Sequence, residues 1–338
     1  MIASHSKPSR LVSPGRHRGF SMTELLVVIA IIAVLAGILL VAMRGVRETG
    51  LRTQTQSIMQ EFSKACDAFQ IEHGVYPGVV PETILAQSTT PALSGTENAL
   101  LNLMGGYRVL SPFDQQGGQV EQDFDDYTGT VVFDEAGWKL KVNVNLMGEG
   151  PVINGRPFAP YFTPGAAALG VAKGQAGPPV LGTGSSGLPD LLDAWGQPII
   201  FVRSMRSTGL LAGDVGDTPP PQFSRAVMTP YTESTALGEF GKDQMALSIF
   251  NVGSAEEQDA TFAQIIRAPA FGKPGEPLNG TARGAYVLIS AGPDGIYFSV
   301  TDGPGSPSNP VEDIVNDPDF GNPRVVREYD DVRMFGGG

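Results

Sequence analysis

A chain of 338 residues with 41% hydrophobic side chains can bury a substantial core, while 43 glycines and 27 prolines assign much of the remainder to loops. A formal charge of −12 argues against a protein that tracks nucleic-acid phosphates, which would need a basic stripe. The single cysteine, Cys66, rules out an intrachain disulfide, and His73 is the one histidine beyond residue 17, which argues against a histidine zinc site or a His-based triad.

In chain order, Lys7, Arg10, Arg16 and Arg18 precede an apolar run, with no acid among them. From Leu25 to Met43 there are nineteen positions without charge or proline. At about 1.5 Å of helical rise each, they nearly span a hydrocarbon layer of roughly 30 Å. The run is expected to be a membrane segment, with the basic arm held on the cytoplasmic side. Glu24 stands at its head, where an ionised carboxylate is costly and demands a partner.

Beyond Met43 the helix is expected to continue. Leu51, Ile58, Phe62, Ala65, Cys66 and Phe69 recur at helical spacings, with Arg52, Gln56, Gln60 and Lys64 between them. His73-Gly74 and Tyr76-Pro77-Gly78 supply the stop, giving one helix of about 80 Å from Phe20. Cys66 reads as a small packed hydrophobe on it.

A short helix is predicted from Thr96 to Met104, stopped by Gly105-Gly106. A hairpin follows: Thr130 to Phe133, a turn through Asp134 to Gly137, and an alternating strand from Trp138 to Leu146. Residues 148–188 read as a linker or long surface loop. Its Gly182-Thr183-Gly184 lacks the context of a phosphate-binding loop. A strand at Ile199 to Val202, helices over 243–250 and 255–267, and a last strand from Tyr286 to Ser290 complete the elements, with acidic loop and tail after them. The carboxylate runs Asp123, Asp125, Asp126 and Asp330, Asp331 read as solvated faces, and no serine sits in a Gly-x-Ser-x-Gly elbow. The fold class is α+β: a long N-terminal helix packed on an antiparallel β-sheet domain with long loop insertions.

Gly19-Phe20-Ser21-Met22-Thr23-Glu24 and the apolar run resemble the type IV pilin and pseudopilin superfamily, whose prepilin peptidase cuts after the glycine of a basic leader and methylates the new N-terminus. The resemblance implies a cut between Gly19 and Phe20 and a mature chain of charge −16. It also implies a partner for Glu24, the amine freed at Phe20 of a neighbouring subunit, which places a cation where the carboxylate needs one. Many relatives carry proline at the position of Val41, and this chain does not. On that basis the chain divides into a leader (1–19), a transmembrane and assembly half-helix (20–43), an amphipathic half-helix (44–77), an inserted loop-rich region (78–188) and a C-terminal β region (189–338).

Two further stretches carry resemblance. Asp193-Ala194-Trp195-Gly196-Gln197-Pro198 is similar to the Asp-x-Trp-Gly-x-Pro signature of major pseudopilins of type II secretion. Structurally, Gly196 permits a tight turn, Pro198 opens a strand and Trp195 plugs the core. Ser290-Ala291-Gly292-Pro293-Asp294-Gly295 looks like the calcium loop of the same proteins. The implied ligands are Asp294, Asp313 and Asp302 with the carbonyls of Ser290 and Ala291, a set of hard oxygens that suits calcium. The insertion Pro304 to Pro310 separates the second group from the first.

The implied function is structural, not enzymatic. It is that of a type II secretion pseudopilus subunit, polymerising with itself through the N-terminal helix, anchored once in the inner membrane with its domain in the periplasm. The implied partners are prepilin peptidase, other pseudopilins and the inner-membrane assembly platform. A type IV pilin or a minor tip pseudopilin is the neighbouring alternative. A signal-anchored exported enzyme or binding module is the alternative of another class, for which Val34-Leu35-Ala36 before Gly37 would serve as an ordinary signal cut.

Overall fold

The computed structural model describes residues 21–87, 93–114, 118–170, 188–228, 248, 254–268, 276, 278–299, 329 and 331–337, with the side chains of 39–42 and 44 outside that set. The amphipathic pattern and the apolar run before it form one unbroken helix, α1 (Met22–His73). It ends where the sequence turns to glycine: Gly74 takes φ 78°, and its N–H bonds the Gln70 carbonyl at 2.7 Å.

The chain separates into two compact units, Met1–Thr49 and Gly50–Gly338. In the first, the described side chains of the apolar run are those of residues 25–38 and Met43, and every one is exposed. Among the described residues no helix is long and apolar enough to cross a membrane. In the second unit, α1 buries Met59, Phe62, Ala65, Cys66 and Phe69 and leaves Arg52, Gln56, Gln60 and Lys64 exposed. Burial pushes the Cys66 thiol well above its ordinary range, so it acts there as a small hydrophobe.

Two helices follow, α2 (Glu82–Leu85) and α3 (Gly95–Met104). The cap of α3 is Ser94, ahead of the expected start at Thr96: Ser94 and Glu97 form a reciprocal capping box. Thr96 turns inward instead, donating to the Ile199 carbonyl at 2.8 Å and accepting from Phe201 N–H at 2.9 Å.

The first sheet has three antiparallel strands in the order β1-β3-β2: β1 (Tyr107–Leu110), β2 (Thr130–Glu135) and β3 (Trp138–Val142). The predicted hairpin is present, with its turn tightened to Ala136-Gly137, both at positive φ. Its second strand stops at Val142, short of the expected Leu146. Asn143 caps a 3-10 turn over Val144–Leu146, its side chain accepting from Asn145 N–H. The Asp123, Asp125, Asp126 run is helical, on α4 (Gln119–Asp126), of which only Phe124 is buried.

The stretch from 148 to 170 is less featureless than expected. It holds β4 (Val152–Ile153) paired with β5 (Arg156–Pro157), and β6 (Leu169–Gly170) paired with β7 (Asp190–Leu191). Residues 171–187 lie outside the described residues, as does the predicted helix over 243–250 apart from Ser248.

The second sheet carries the site. Its order is β10-β9-β8, all antiparallel: β8 (Ile200–Arg203), β9 (Tyr286–Ser290) and β10 (Val332–Gly336). Tyr286 to Ser290 is therefore not the last strand, because β10 covers its other edge. Period-two alternation divides the side chains of this sheet. Phe201, Tyr286 and Leu288 join a buried cluster with Phe62, Cys66 and Phe69 of α1. Ile200, Val202, Val287 and Ile289 join another with Phe262 and Ile266 of α5 (Ala255–Ile266). Edge-on ring contacts knit the α1 side, with Phe62 5.5 Å from Phe201 and 5.3 Å from Phe162.

Arg203, at the end of β8, ties the incoming chain to the sheet. Its Nε meets Glu82 Oε2 at 2.8 Å, and Nη1 and Nη2 donate to the carbonyls of Tyr76 and Val80. Burial raises the Glu82 carboxyl above its usual range, outweighing the attraction of Arg203.

Candidate functional site

Two places gather the residues singled out from the sequence. The first is the head of α1. Gly19 and Phe20 lie outside the described residues, but Ser21 and Glu24 do not. Glu24 Oε2 accepts from Ser21 N–H at 2.8 Å and from Ser21 Oγ at 2.9 Å, and Glu24 N–H donates to Ser21 Oγ at 3.2 Å. This is a capping box: it satisfies orphan donors of the first turn and holds the carboxylate against its own chain. Sequence reasoning assigned Glu24 an external partner and missed this local one, although the Ser-x-x-Glu spacing signals it. Over residues 25–38 the helix presents an aliphatic surface, with Leu25, Ile32 and Ile38 each more than half exposed.

The second place joins two motifs that lie about a hundred residues apart. The 193–198 stretch is a tight turn whose organiser is the buried Asp193. Its Oδ1 accepts from Trp195 N–H and Gln197 N–H, both at 2.9 Å, and its Oδ2 accepts from Ser290 Oγ at 2.7 Å. Burial pushes the Asp193 carboxyl upward and these donors pull it back. Gly196 takes φ 88°, as the tight turn requires, and Leu192 bridges Pro198, so Pro198 leads into β8. Trp195 is half-buried, packed on the α1-side cluster. Ala194 N–H donates to Thr55 Oγ1 at 3.1 Å, which docks the turn on α1.

Opposite the turn runs the loop after β9. Gly292 and Gly295 have positive φ, and so does Phe298, a buried non-glycine residue at φ 49°. Phe298 is held there by Asp331, whose two carboxylate oxygens both accept its N–H at 3.0 Å. Asp331 is thus a buried anchor and not a solvated tail residue. Tyr297 Oη donates to the Pro198 carbonyl, a second link between loop and turn.

Ser290 and Ala291 are fully buried at the start of this loop. Asp294 Oδ1 accepts from Ile296 N–H at 2.8 Å, fixing the carboxylate within the turn. Asp302 and Asp313, the other implied ligands, lie outside the described residues. Among the described residues no three His, Cys, Asp or Glu side chains converge to hold a metal. A cation bound by them would draw chiefly on carbonyl oxygens. One such oxygen stands out: Gln197 is 2% exposed, and its Oε1 has no hydrogen-bond partner among the described residues.

Residues 15–40 match the family model described as the prokaryotic N-terminal methylation motif. No curated protein and no solved structure matches the chain.

Proposed function

We propose, from a chain that carries the type IV pilin and pseudopilin signature at residues 15–40, that this protein is a structural subunit of a type II secretion pseudopilus. The motif itself implies processing by prepilin peptidase and assembly into pilus-like polymers. The observation that carries the reading is the match over the head of α1, where an acid sits before an aliphatic surface that is exposed among the described residues. Such a surface is satisfied by lipid before assembly and by equivalent helices after it. The Asp193 turn and the 290–299 loop, similar to those of major pseudopilins, favour secretion over a surface pilus.

In the mechanism, prepilin peptidase cuts between Gly19 and Phe20, and the subunit waits in the inner membrane with its acidic domain in the periplasm. During assembly Glu24 exchanges its bonds to Ser21 for the Phe20 amine of a neighbour, which aligns the two copies. Other pseudopilins and an inner-membrane assembly platform complete the machine, and the subunit does no catalysis. Calcium is the proposed structural ion of the 290–299 loop. The donors present fit a hard cation: a buried amide oxygen without a partner among the described residues, a fixed carboxylate at Asp294, and backbone carbonyls.

Intact mass and peptide mapping of the protein from native membranes test processing first. A chain beginning at N-methylated Phe20 is expected, and a start at Met1 or Gly37 overturns the assembly mechanism. Deletion of the gene then separates secretion, which leaves exoenzymes trapped, from a type IV pilus, which loses surface filaments.

A further inference from the structure

The 193–198 turn does more than brace the neighbouring loop: we infer that Gln197 supplies its side-chain oxygen to the cation of the 290–299 loop. The inference rests on the calcium reading above and adds a ligand from another part of the chain. Three observations converge on it. The Gln197 side chain is sealed from solvent, at 2% exposure, so bulk water does not reach it. Its Oε1 has no hydrogen-bond partner among the described residues, and a buried amide oxygen left unpaired is costly, so a cation or donor is owed to that spot. Its amide packs on the loop itself, since a Cβ built on Gly295 would lie 3.5 Å from Gln197 Nε2 and 3.8 Å from Cδ.

The backbone explains why the amide is presented there. Gln197 N–H is held by Asp193 Oδ1, and the same carboxylate grips Ser290 at the start of the loop. Tyr297 bonds the Pro198 carbonyl, next in sequence. Gln197 is therefore fixed at both ends against the segment that carries Asp294. A neutral amide oxygen is a common ligand for calcium and a poor one for softer metals.

The test uses the full chain in detergent micelles, with calcium chloride as the probe. Affinity is read by titration calorimetry, and thermal stability is read in calcium and in EGTA. Gln197→Met keeps the volume and removes the oxygen. It is expected to weaken calcium binding by at least about tenfold, the loss of one charge-assisted contact, while its midpoint in EGTA matches or exceeds wild type. Gln197→Glu restores an oxygen and adds a charge, and is expected to bind more tightly than wild type. If Asp294→Asn abolishes binding but Gln197→Met and Gln197→Glu both leave affinity unchanged, the inference fails and the calcium loop stands. If wild type shows neither heat nor a stability shift with calcium, both fall. Should Gln197→Met not fold, the affinity of Gln197→Glu decides: an unchanged value overturns the inference and a tighter one supports it.

Discussion

Asp193 is one carboxylate on which two distant stretches depend. Asp193→Ala leaves the N–H groups of Trp195 and Gln197 and the hydroxyl of Ser290 without their acceptor, at an expected cost of about 3 kcal/mol in a denaturant titration. Asp193→Asn keeps one oxygen for both N–H groups and presents its NH2 to a hydroxyl that can accept, so about 1 kcal/mol is expected. Glu82 makes a pH-dependent prediction. Its carboxyl is raised in the fold by burial, so the stability it contributes is fully present below the ordinary value of 4.5 and is lost as pH rises through the folded value. Stability measured against pH should therefore show wild type at its greatest advantage over Glu82→Gln below 4.5, the gap narrowing as pH climbs. A gap that widens with pH would mean that Arg203, not burial, governs the pair.

Single elements were legible where their periodicity was long and their punctuation explicit. α1, α3, α5, the β2-β3 hairpin and β9 all carry such marks. β1 escaped because four residues beside Gly105-Gly106 are too few to establish an alternation, and their burial follows none. β10 escaped because Arg333 and a glycine-rich end disguise a strand that pairs along its whole length with β9. The turn and the loop were each read from sequence, but their union was not: side-chain bonds such as Asp193 to Ser290 leave no periodic trace. Gly105, at the end of α3, has φ 85°, and a Cβ there would lie 2.0 Å from the Gly150 carbonyl oxygen. Gly105→Ala should therefore cost about 2–4 kcal/mol, seen as a lowered thermal midpoint, since backbone on both sides must give way. Ser94→Ala, which removes only a cap of the same helix, should cost about 1 kcal/mol.

At the scale of the whole molecule, the unit boundary inside α1 sets where the chain can be shortened. A fragment starting at Gly50 keeps Met59, Phe62, Cys66 and Phe69, the α1 contribution to the core. It is expected to melt cooperatively by circular dichroism. One starting at Tyr76 lacks that face, uncovers Phe201 and Leu288, and should show no cooperative transition. The acidic charge of the chain suits this division, since a net charge far from zero favours the solubility of the core-bearing unit, and the aliphatic head of α1 belongs to the other unit.

The central place of β9 in its sheet bears on the timing of biogenesis. Its two neighbours come from opposite sides in sequence, β8 long before it and β10 well after it. A ribosome that has just released β9 has made a strand with one bare edge, and that edge stays bare until 332–336 emerges. Unpaired edges recruit other chains, so on the proposed membrane-anchored reading a nascent molecule is safest if the remaining segment crosses promptly and unfolded. Slowing translocation late in the chain, without altering any residue, should therefore raise aggregation and proteolytic loss of this protein more than slowing it early.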